Sequence, residues 1–348
     1  MAEKKILKGK TFAVTGAAGF IGSTLSDRIL RLGGRVLAID NMSSGYDRNY
    51  AHNMDIPVTY NAVKTAGLDL VTHKMGKKIP YCIIHKDAQD SSLYADLKKF
   101  NVECVFHLAA NAGVATSFDD PVGTNHDNAV ATLNMLECSE KAGVKRFVLA
   151  SSSSVYGGSD GRAVKESDEL SPMSPYALQK IISENYCSFY SKVYSIDTVA
   201  LRYFNVFGPR QSLRSKYSAV IPSFCSSYLS FNKNKSAIIY GDGTQYRDFC
   251  FVDNVVDANI LAATHEGAFK GSAYNIACGS SYTINDLVRE IGLTKVKYEK
   301  KRVGDVHGSL ANISKAKNDF GYNPKVSFEK GIKITMRWYL ENQIWKRS

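Results

Sequence analysis

With 348 residues, of which 44% are hydrophobic, the chain is long enough for one large domain or for two ordinary domains with a proper core. It contains no apolar run of membrane-spanning length and no signal-peptide pattern, so no membrane partner is expected. The net charge of +11 is not accompanied by interleaved aromatic and basic residues, which indicates a lysine-rich surface and excludes a nucleic-acid partner from our expectations.

Strands and helices alternate along the first two hundred residues. Short apolar, β-branched runs predict six strands, and longer amphipathic runs between them predict helices over Phe20–Leu32, Asn125–Ala142 and Pro175–Val193. Such alternation predicts right-handed crossovers and a Rossmann-type, doubly wound parallel sheet of the α/β class. The predicted strands are, in order, TFAVTG, RVLAID, YCIIH, VECVFHLAA, RFVLASS and DTVALRYFN.

The pattern loosens after residue 203. Short segments such as AIIYGDG and SAYNIA lie among loops, and further helices begin near Ile284 and Phe328. We therefore predict a first domain over residues 1–202 and a smaller C-terminal α/β lobe that mainly comprises residues 203–348. Part of the segment 236–265 is expected to return to the first domain.

Three glycines lie between the first strand and the first helix, in TGAAGFIG. Gly16 permits a tight turn, Gly19 lets the backbone approach a pyrophosphate, and Gly22 lets the helix pack close to the sheet. The start of the helix offers N–H groups and a partial positive charge to phosphates. Asp40 ends the second strand and can accept hydrogen bonds from a ribose 2′-hydroxyl, so the predicted cofactor is NAD rather than NADP.

The GxxGxxG spacing resembles that of the short-chain dehydrogenase/reductases, whose usual signature is a YxxxK pair. Only Tyr176 opens a predicted helix after a strand that ends in serines, with Ser152 located 24 residues before it. Lys180 lies one helical turn on and its charge favours the phenolate of a tyrosine whose reference pKa is about 10. Ser152 can relay the substrate proton. The chain contains three such pairs: Tyr60/Lys64, Tyr94/Lys98 and Tyr176/Lys180.

The chain resembles the extended short-chain dehydrogenase/reductases that act on nucleotide sugars, nearly from end to end. It is most similar to the UDP-hexose 4-epimerases, especially those that accept UDP-N-acetylglucosamine. The resemblance implies reversible oxidation of a UDP-sugar through a 4-keto intermediate, with resident NAD. Eight motifs occur in family order: TGAAGFIG, IDNMSSG, HLAA, ASSSSVYG, SPYALQK, LRYFNVFGPRQ, GDGTQYRDFCFVDN and GDVHGSLANIS.

The same resemblance implies roles for individual residues. Catalysis would rest on Tyr176, Lys180 and Ser152. The residues implied for NAD are Gly16, Gly19, Phe20, Ile21, Asp40, Asn41, Ser44, Asp87, Ala88, Leu108, Ala109, Asn128, Tyr176, Lys180 and Tyr203. The residues implied for the UDP-sugar are Ser152, Ser153, Asn205, Val220, Tyr240, Arg247, Arg302, Asp305 and Ser309.

Related reactions remain as alternatives. Dehydratases of this family carry an acidic pair where this chain has Ser153 and Ser154, and UDP-glucuronate decarboxylases carry a glutamate there, so both are disfavoured. A UDP-glucuronate 4-epimerase stays open because AANAGVATS partly resembles the corresponding loop, although Ala115 replaces its arginine. Ser309 falls at the position that limits sugar size in this family, so the resemblance implies that the small serine leaves room for an N-acetyl group. An NADPH-dependent sugar reductase and a non-catalytic NAD sensor are further alternatives.

The resemblance also implies a homodimer formed by the helices around Asn125–Ala142 and Tyr176–Tyr194. The segment AVKTAGLDLVTHKMGKK looks like an insertion with a structural role. The seven cysteines are scattered without a CxxC pair, which predicts reduced core residues in a cytoplasmic protein and no metal site.

Overall fold

The structure is a computed structural model that describes residues 6–43, 81–212, 219–229, 236–301 and 306–342. The segment interpreted as an insertion lies outside these residues. Among the helices in the described ranges, none combines the length and the apolar character that crossing a bilayer requires. Six of the seven cysteines are buried and all seven are free thiols, as the sequence predicts.

A parallel sheet forms the centre of the described structure, and its existence confirms the predicted fold class. Within the described residues it contains seven strands: β1 (Thr11–Thr15), β2 (Arg35–Asp40), β3 (Tyr81–His85), β4 (Val102–His107), β5 (Arg146–Ser152), β6 (Asp197–Tyr203) and β11 (Ser272–Ile276). Across the sheet they lie in the order β11-β6-β5-β4-β1-β2-β3. The order reverses at β1, which is the arrangement that places ligand sites at the carboxyl ends of the strands.

The sheet is covered by helices on both faces, which explains why its strands are nearly continuous apolar runs. Every residue of β1 is buried, and so are all but the first residue of β2. The described helices are α1 (Phe20–Arg31), α2 (Leu93–Lys99), α3 (Val114–Asp119), α4 (Pro121–Asn125), α5 (Ala131–Lys141), α6 (Pro175–Val193), α7 (Val220–Leu229), α8 (Val252–Thr264), α9 (Ile284–Ile291), α10 (Ser314–Phe320) and α11 (Phe328–Glu341).

The helix predicted over Asn125–Ala142 is divided. A π-helical segment, His126–Val130, separates α4 from α5, and a short 3₁₀ turn, Ser153–Tyr156, follows β5. In contrast, α6 has the predicted bounds. Ser174 caps it by accepting a hydrogen bond from the backbone N–H of Ala177 at 3.1 Å, and Pro175 occupies the first helical position.

One strand of the main sheet comes from the C-terminal part of the chain. Strand β11 pairs with β6, so residues 272–276 join this sheet. Helix α8, which lies within the segment 236–265, packs against α1, β5 and β6. The described remainder of the C-terminal lobe contains short pairs around the substrate side of the fold. These are β7 (Val206–Phe207) with β10 (Cys250–Phe251), β8 (Ala237–Tyr240) with β13 (Val296–Glu299), and β9 (Tyr246–Arg247) with β12 (Tyr282–Thr283) and β14 (Gly308–Ser309).

Candidate active site

Steric constraints explain why two positions of the turn between β1 and α1 are glycine. Gly16 has a φ of +67°, and a Cβ there would lie 2.9 Å from the backbone nitrogen of Ala109. A Cβ on Gly22 would lie only 2.1 Å from the carbonyl oxygen of Gly16. The turn therefore needs glycine first for a left-handed backbone and last for close packing of α1. Gly19 is the N-cap residue of α1 and offers no side chain to cap it.

The carboxylate of Asp40 is fixed at the end of β2. Its Oδ2 accepts a hydrogen bond from the N–H of Ala18 at 2.9 Å, and its Oδ1 accepts one from the N–H of Met42 at 2.8 Å. Burial raises the pKa of Asp40, and these two hydrogen bonds oppose that rise. Asn41 Nδ2 donates to Asp87 Oδ2 at 2.6 Å, which joins the ends of β2 and β3.

These groups line a first cavity of about 530 Å³ at the carboxyl edge of the sheet. Its shape and chemistry fit a dinucleotide, because glycine backbone lies at one part and an acidic side chain from β2 at another. Asn128 does not line it: that side chain is buried and bonds to the backbone of Asn111 and to Gln179. Ser44 lies outside the described residues. The predicted cofactor residues that line this cavity are Gly16, Gly19, Asp40, Asn41, Asp87, Ala88, Leu108 and Ala109.

A second cavity of about 520 Å³ adjoins the first, and Ala112, Gln211 and Ala219 line both. It is lined by two of the predicted reacting groups, Ser152 and Tyr176, together with residues of the C-terminal lobe, whereas Lys180 lines neither cavity. Phe20 and Ile21, predicted to hold the cofactor, face this second cavity. The remaining predicted residues in its lining are Ser152, Ser153, Tyr176, Tyr203, Asn205, Arg247 and Ser309.

Tyr176 occupies the first turn of α6, and its side chain is buried. Its backbone N–H donates to Ser117 Oγ at 3.1 Å, and its hydroxyl is hydrogen-bonded to Ser152. Burial raises the pKa of Tyr176 to about 12, and the hydrogen bond from Ser152 opposes this rise. The sequence predicted a lowered pKa from the charge of Lys180. In the described chain, however, burial outweighs any such effect.

Lys180 is also buried, one turn along α6. Its Nζ lies 5.7 Å from the centre of the Tyr176 ring and donates a hydrogen bond to the carbonyl oxygen of Ala150 at 2.9 Å. Burial lowers the pKa of Lys180 to about 8, and the charge of Glu184 opposes this change. The ammonium group is thus held beneath the phenol ring by a backbone carbonyl of β5.

The hydroxyl of Ser152 is oriented by Ser154, a position notable in the sequence only because dehydratases carry an acidic residue there. Its Oγ accepts hydrogen bonds from the N–H of Ser154 at 3.2 Å and from Ser154 Oγ at 2.9 Å. Because both contacts use Ser152 as acceptor, its own proton remains to be donated elsewhere. The positioning roles of Ser154 and Ser117 left no signal in the sequence beyond a run of polar residues.

In the C-terminal lobe, Asn205 adopts a φ of +31° and links two substrate-side segments. Its Nδ2 donates to the carbonyl oxygen of Asp248 at 3.2 Å and to Ser309 Oγ at 3.1 Å. Arg247 donates to the carbonyl oxygens of Val306 at 2.9 Å and His307 at 3.1 Å. These contacts order the wall of the second cavity around Ser309.

Asp248 was not singled out from the sequence, although it is fully buried. It accepts hydrogen bonds from the N–H groups of Cys278 at 2.8 Å and Gly279 at 2.9 Å. Burial raises its pKa to about 7, and the backbone hydrogen bonds oppose this rise. Val220 and Tyr240, both predicted substrate residues, are on α7 and β8 and do not line either cavity. Arg302 and Asp305 lie outside the described residues.

A glycine turn and an acidic residue at the end of β2 line one cavity, and Ser152 and Tyr176 line the adjoining one, with Lys180 beneath the Tyr176 ring. This arrangement defines a nucleotide-cofactor oxidoreductase-type site. A family model described as "NAD dependent epimerase/dehydratase family" matches residues 12–277. The chain belongs to this family.

Individual relatives are similar over nearly their full lengths. The UDP-glucose 4-epimerase of Mycolicibacterium smegmatis is 32% identical, with 94% of this chain and 97% of the relative covered. A UDP-N-acetylglucosamine 4-epimerase structure from Methanobrevibacter ruminantium M1, in complex with UDP-N-acetylmuramic acid, is 36% identical with a TM-score of 0.82 and coverages of 96% and 99%. The UDP-glucuronic acid 4-epimerase of Bacillus cereus, with UDP-glucuronic acid and NAD, is 28% identical with a TM-score of 0.80 and coverages of 95% and 99%.

Proposed function

We propose that the protein is an NAD-dependent 4-epimerase of a UDP-sugar. The observation that carries this proposal is that Tyr176 and Ser152 line a cavity adjoining the one lined by Gly16 and Asp40. Lys180 lies buried beneath the ring of Tyr176. Family membership and relatives named as 4-epimerases support it. When bound, NAD supplies a hydride acceptor that can also return the hydride to C4 of the sugar.

The chain's own residues would move the proton. Tyr176 takes the proton of the sugar 4-hydroxyl, directly or through Ser152, and returns it after the keto sugar has turned over. Lys180, charged and close to the phenol ring, favours the phenolate. Ser154 holds the Ser152 hydroxyl in place by donating to it. Serines at 153 and 154 offer no acid for water elimination, which disfavours a dehydratase.

We propose UDP-N-acetylglucosamine and UDP-N-acetylgalactosamine as the preferred pair, with UDP-glucose and UDP-galactose also accepted. Ser309 is a small residue in the wall of the second cavity. Among the described residues that line this cavity, Arg247 alone carries a charge, and its guanidinium is bonded to backbone carbonyls. A sugar carboxylate would gain little from this wall, so UDP-glucuronate 4-epimerisation is the second candidate.

The function is tested with purified protein and no added cofactor. Proton NMR would follow separate incubations with UDP-glucose, UDP-N-acetylglucosamine and UDP-glucuronate. We expect the galacto-configured partner to appear in the first two, fastest with UDP-N-acetylglucosamine. No conversion of any of the three, even with NAD supplied, would contradict the proposal, and fastest conversion of UDP-glucuronate would favour the second candidate.

Ser309→Tyr tests the proposed size limit. The tyrosine ring would project from β14 into the second cavity, next to Asn205. We expect turnover of UDP-N-acetylglucosamine to fall at least about tenfold more than that of UDP-glucose, on the scale of a steric clash of 1–3 kcal/mol. Ser309→Ala is the matched control and should spare both substrates. Equal losses on both substrates with Ser309→Tyr would contradict the size argument.

We also propose a cytoplasmic homodimer. Exposed apolar side chains lie on both helices that the resemblance assigns to the dimer contact: Val130 on the π segment, and Leu178, Phe189 and Val193 on α6. Exposed apolar side chains that adjoin one another mark interaction surfaces. Sedimentation equilibrium would give twice the chain mass, and a monomer at micromolar concentration would contradict the proposal.

A further inference from the structure

A buried group of charges lies beneath the candidate active site. Glu184, on α6, is bound by Arg202 of β6 through Nε to Oε1 at 2.9 Å and through Nη2 to Oε2 at 2.7 Å. Both side chains are at least nine-tenths buried. Ser151 Oγ donates to the same Glu184 Oε1 at 2.5 Å. Glu184 therefore connects α6, β5 and β6 through three hydrogen bonds.

We propose that Glu184 is a positioning residue for the reaction proposed above, on which this inference rests. Glu184 keeps Lys180 in its charged form and holds the Ser151–Ser152 segment of β5 in place. It lies one helical turn after Lys180, on the same face of α6. The residue next to Ser151 is the serine that is hydrogen-bonded to Tyr176. One carboxylate thus acts on two of the three reacting groups.

Among the titratable groups around Lys180, Glu184 supplies the negative charge that compensates the ammonium charge of Lys180. On α6 they are Tyr176, Glu184 and Cys187, and on β4 the neighbour is His107. Burial raises the pKa of the Cys187 thiol and lowers that of His107 to about 3, so both are neutral near pH 7. Tyr176 is also neutral without substrate. Among these described neighbours, only Glu184 is an anion.

The balance between the buried charges of Lys180, Arg202 and Glu184 determines which group loses its proton when the charge of Glu184 is removed. Lys180 and Arg202 are buried cations with Glu184 between them, a net charge of +1 that a Tyr176 phenolate would neutralise. Burial by itself lowers the pKa of the Arg202 guanidinium, but the hydrogen bonds to Glu184 raise it, and the net pKa is raised. Arg does not release its proton in proteins. If Glu184 loses its charge, Lys180 is therefore the group that deprotonates.

The test is an NMR titration of lysine side chains, labelled with ¹³C at Cε, in the wild type and in Glu184→Gln. The signal missing from Lys180→Arg identifies Lys180, for which we expect a midpoint near pH 8 in the wild type. We expect the midpoint to fall by about one pH unit or more in Glu184→Gln. Ser151→Ala removes one hydrogen bond to Glu184 but no charge, and its Lys180 midpoint should match the wild type. A midpoint in Glu184→Gln equal to that of the wild type would overturn the proposal.

The pH–rate profile adds a catalytic readout. Lys180 must be charged, so activity is lost as pH rises through its pKa, and a lower pKa moves this alkaline limb to lower pH. A fall of one unit reduces the charged fraction at pH 8 from about a half to about a tenth, so we expect a roughly fivefold loss there and little loss at pH 6. A shifted NMR midpoint with an unshifted alkaline limb would overturn the catalytic role.

A second variant and an assay of the wild type distinguish a failure of the Glu184 proposal from a failure of the proposed function. If Glu184→Gln does not fold, the paired variant Glu184→Gln/Arg202→Met is compared with Arg202→Met, because these two variants differ only in the charge at position 184. Equal Lys180 midpoints in the two would overturn the proposal. Absence of epimerisation by the wild type would contradict the proposed function. The NMR midpoints would still show whether Glu184 controls the charge of Lys180, because they need no substrate.

Discussion

Replacement of Tyr176 by phenylalanine is expected to lower epimerase turnover at least about a hundredfold, the scale of lost general acid–base catalysis. The variant keeps the ring that packs above Lys180 and loses only the hydroxyl that bonds to Ser152. Ser152 still accepts hydrogen bonds from Ser154, and because it lines the second cavity its own proton can be donated to solvent there. Thermal unfolding and NAD binding should therefore stay close to those of the wild type.

Tyr94 provides a matched control for that measurement. It begins another YxxxK sequence with Lys98, on α2, but its side chain is exposed and lines neither cavity. Tyr94→Phe should leave turnover unchanged. Near-normal turnover of Tyr176→Phe would remove Tyr176 from the proposed role. Equal losses in the two variants would show that the effect is not specific to the site. The third pair, Tyr60 and Lys64, lies outside the described residues.

The sequence predicts much of the fold because local signals suffice for it. The apolar runs of β1 and β2 end at glycines or at Asp40, and the bounds of α6 follow from Ser174 and Pro175 at its start. The return of Ser272–Ile276 to the main sheet was not predicted. That strand pairs with β6 about 70 residues earlier, and nothing in its own five residues records the pairing.

The candidate active site was also predictable only in part. The spacing of Tyr176, Lys180 and Ser152 indicated which groups meet, because the geometry of a strand followed by a helix fixes their approach. The electrostatics were not predictable, since the burial that raises the pKa of Tyr176 to about 12 depends on the whole fold. Glu184 was overlooked, although its position eight residues after Tyr176, two helical turns along one face of α6, is visible in the sequence.

Replacement of Arg202 by methionine should destabilise the protein strongly. Arg202 and Glu184 are a buried pair, and Arg202 Nη1 also donates to the Tyr156 hydroxyl at 2.8 Å. Removing the guanidinium leaves a carboxylate in the interior with Ser151 as its remaining hydrogen-bond donor among these groups. Breaking one side of a buried pair costs about 3–5 kcal/mol, so the urea midpoint should fall by an amount equivalent to that loss.

The ion pair of Arg162 with Asp168 is the control, because Arg162→Met makes the same chemical change on the surface. Arg162 is 63% exposed in its side chain, against 5% for Arg202. Solvent and side-chain entropy leave exposed pairs with little net effect, so the urea midpoint of Arg162→Met should stay close to the wild type. Similar midpoints for both variants would mean that the interior solvates Glu184 without Arg202. In that case the charge balance beneath Tyr176 would not depend on this pair. A large loss confined to Arg202→Met would show that the interior accommodates the carboxylate of Glu184 only when Arg202 pairs with it, so this pair holds α6 against β6.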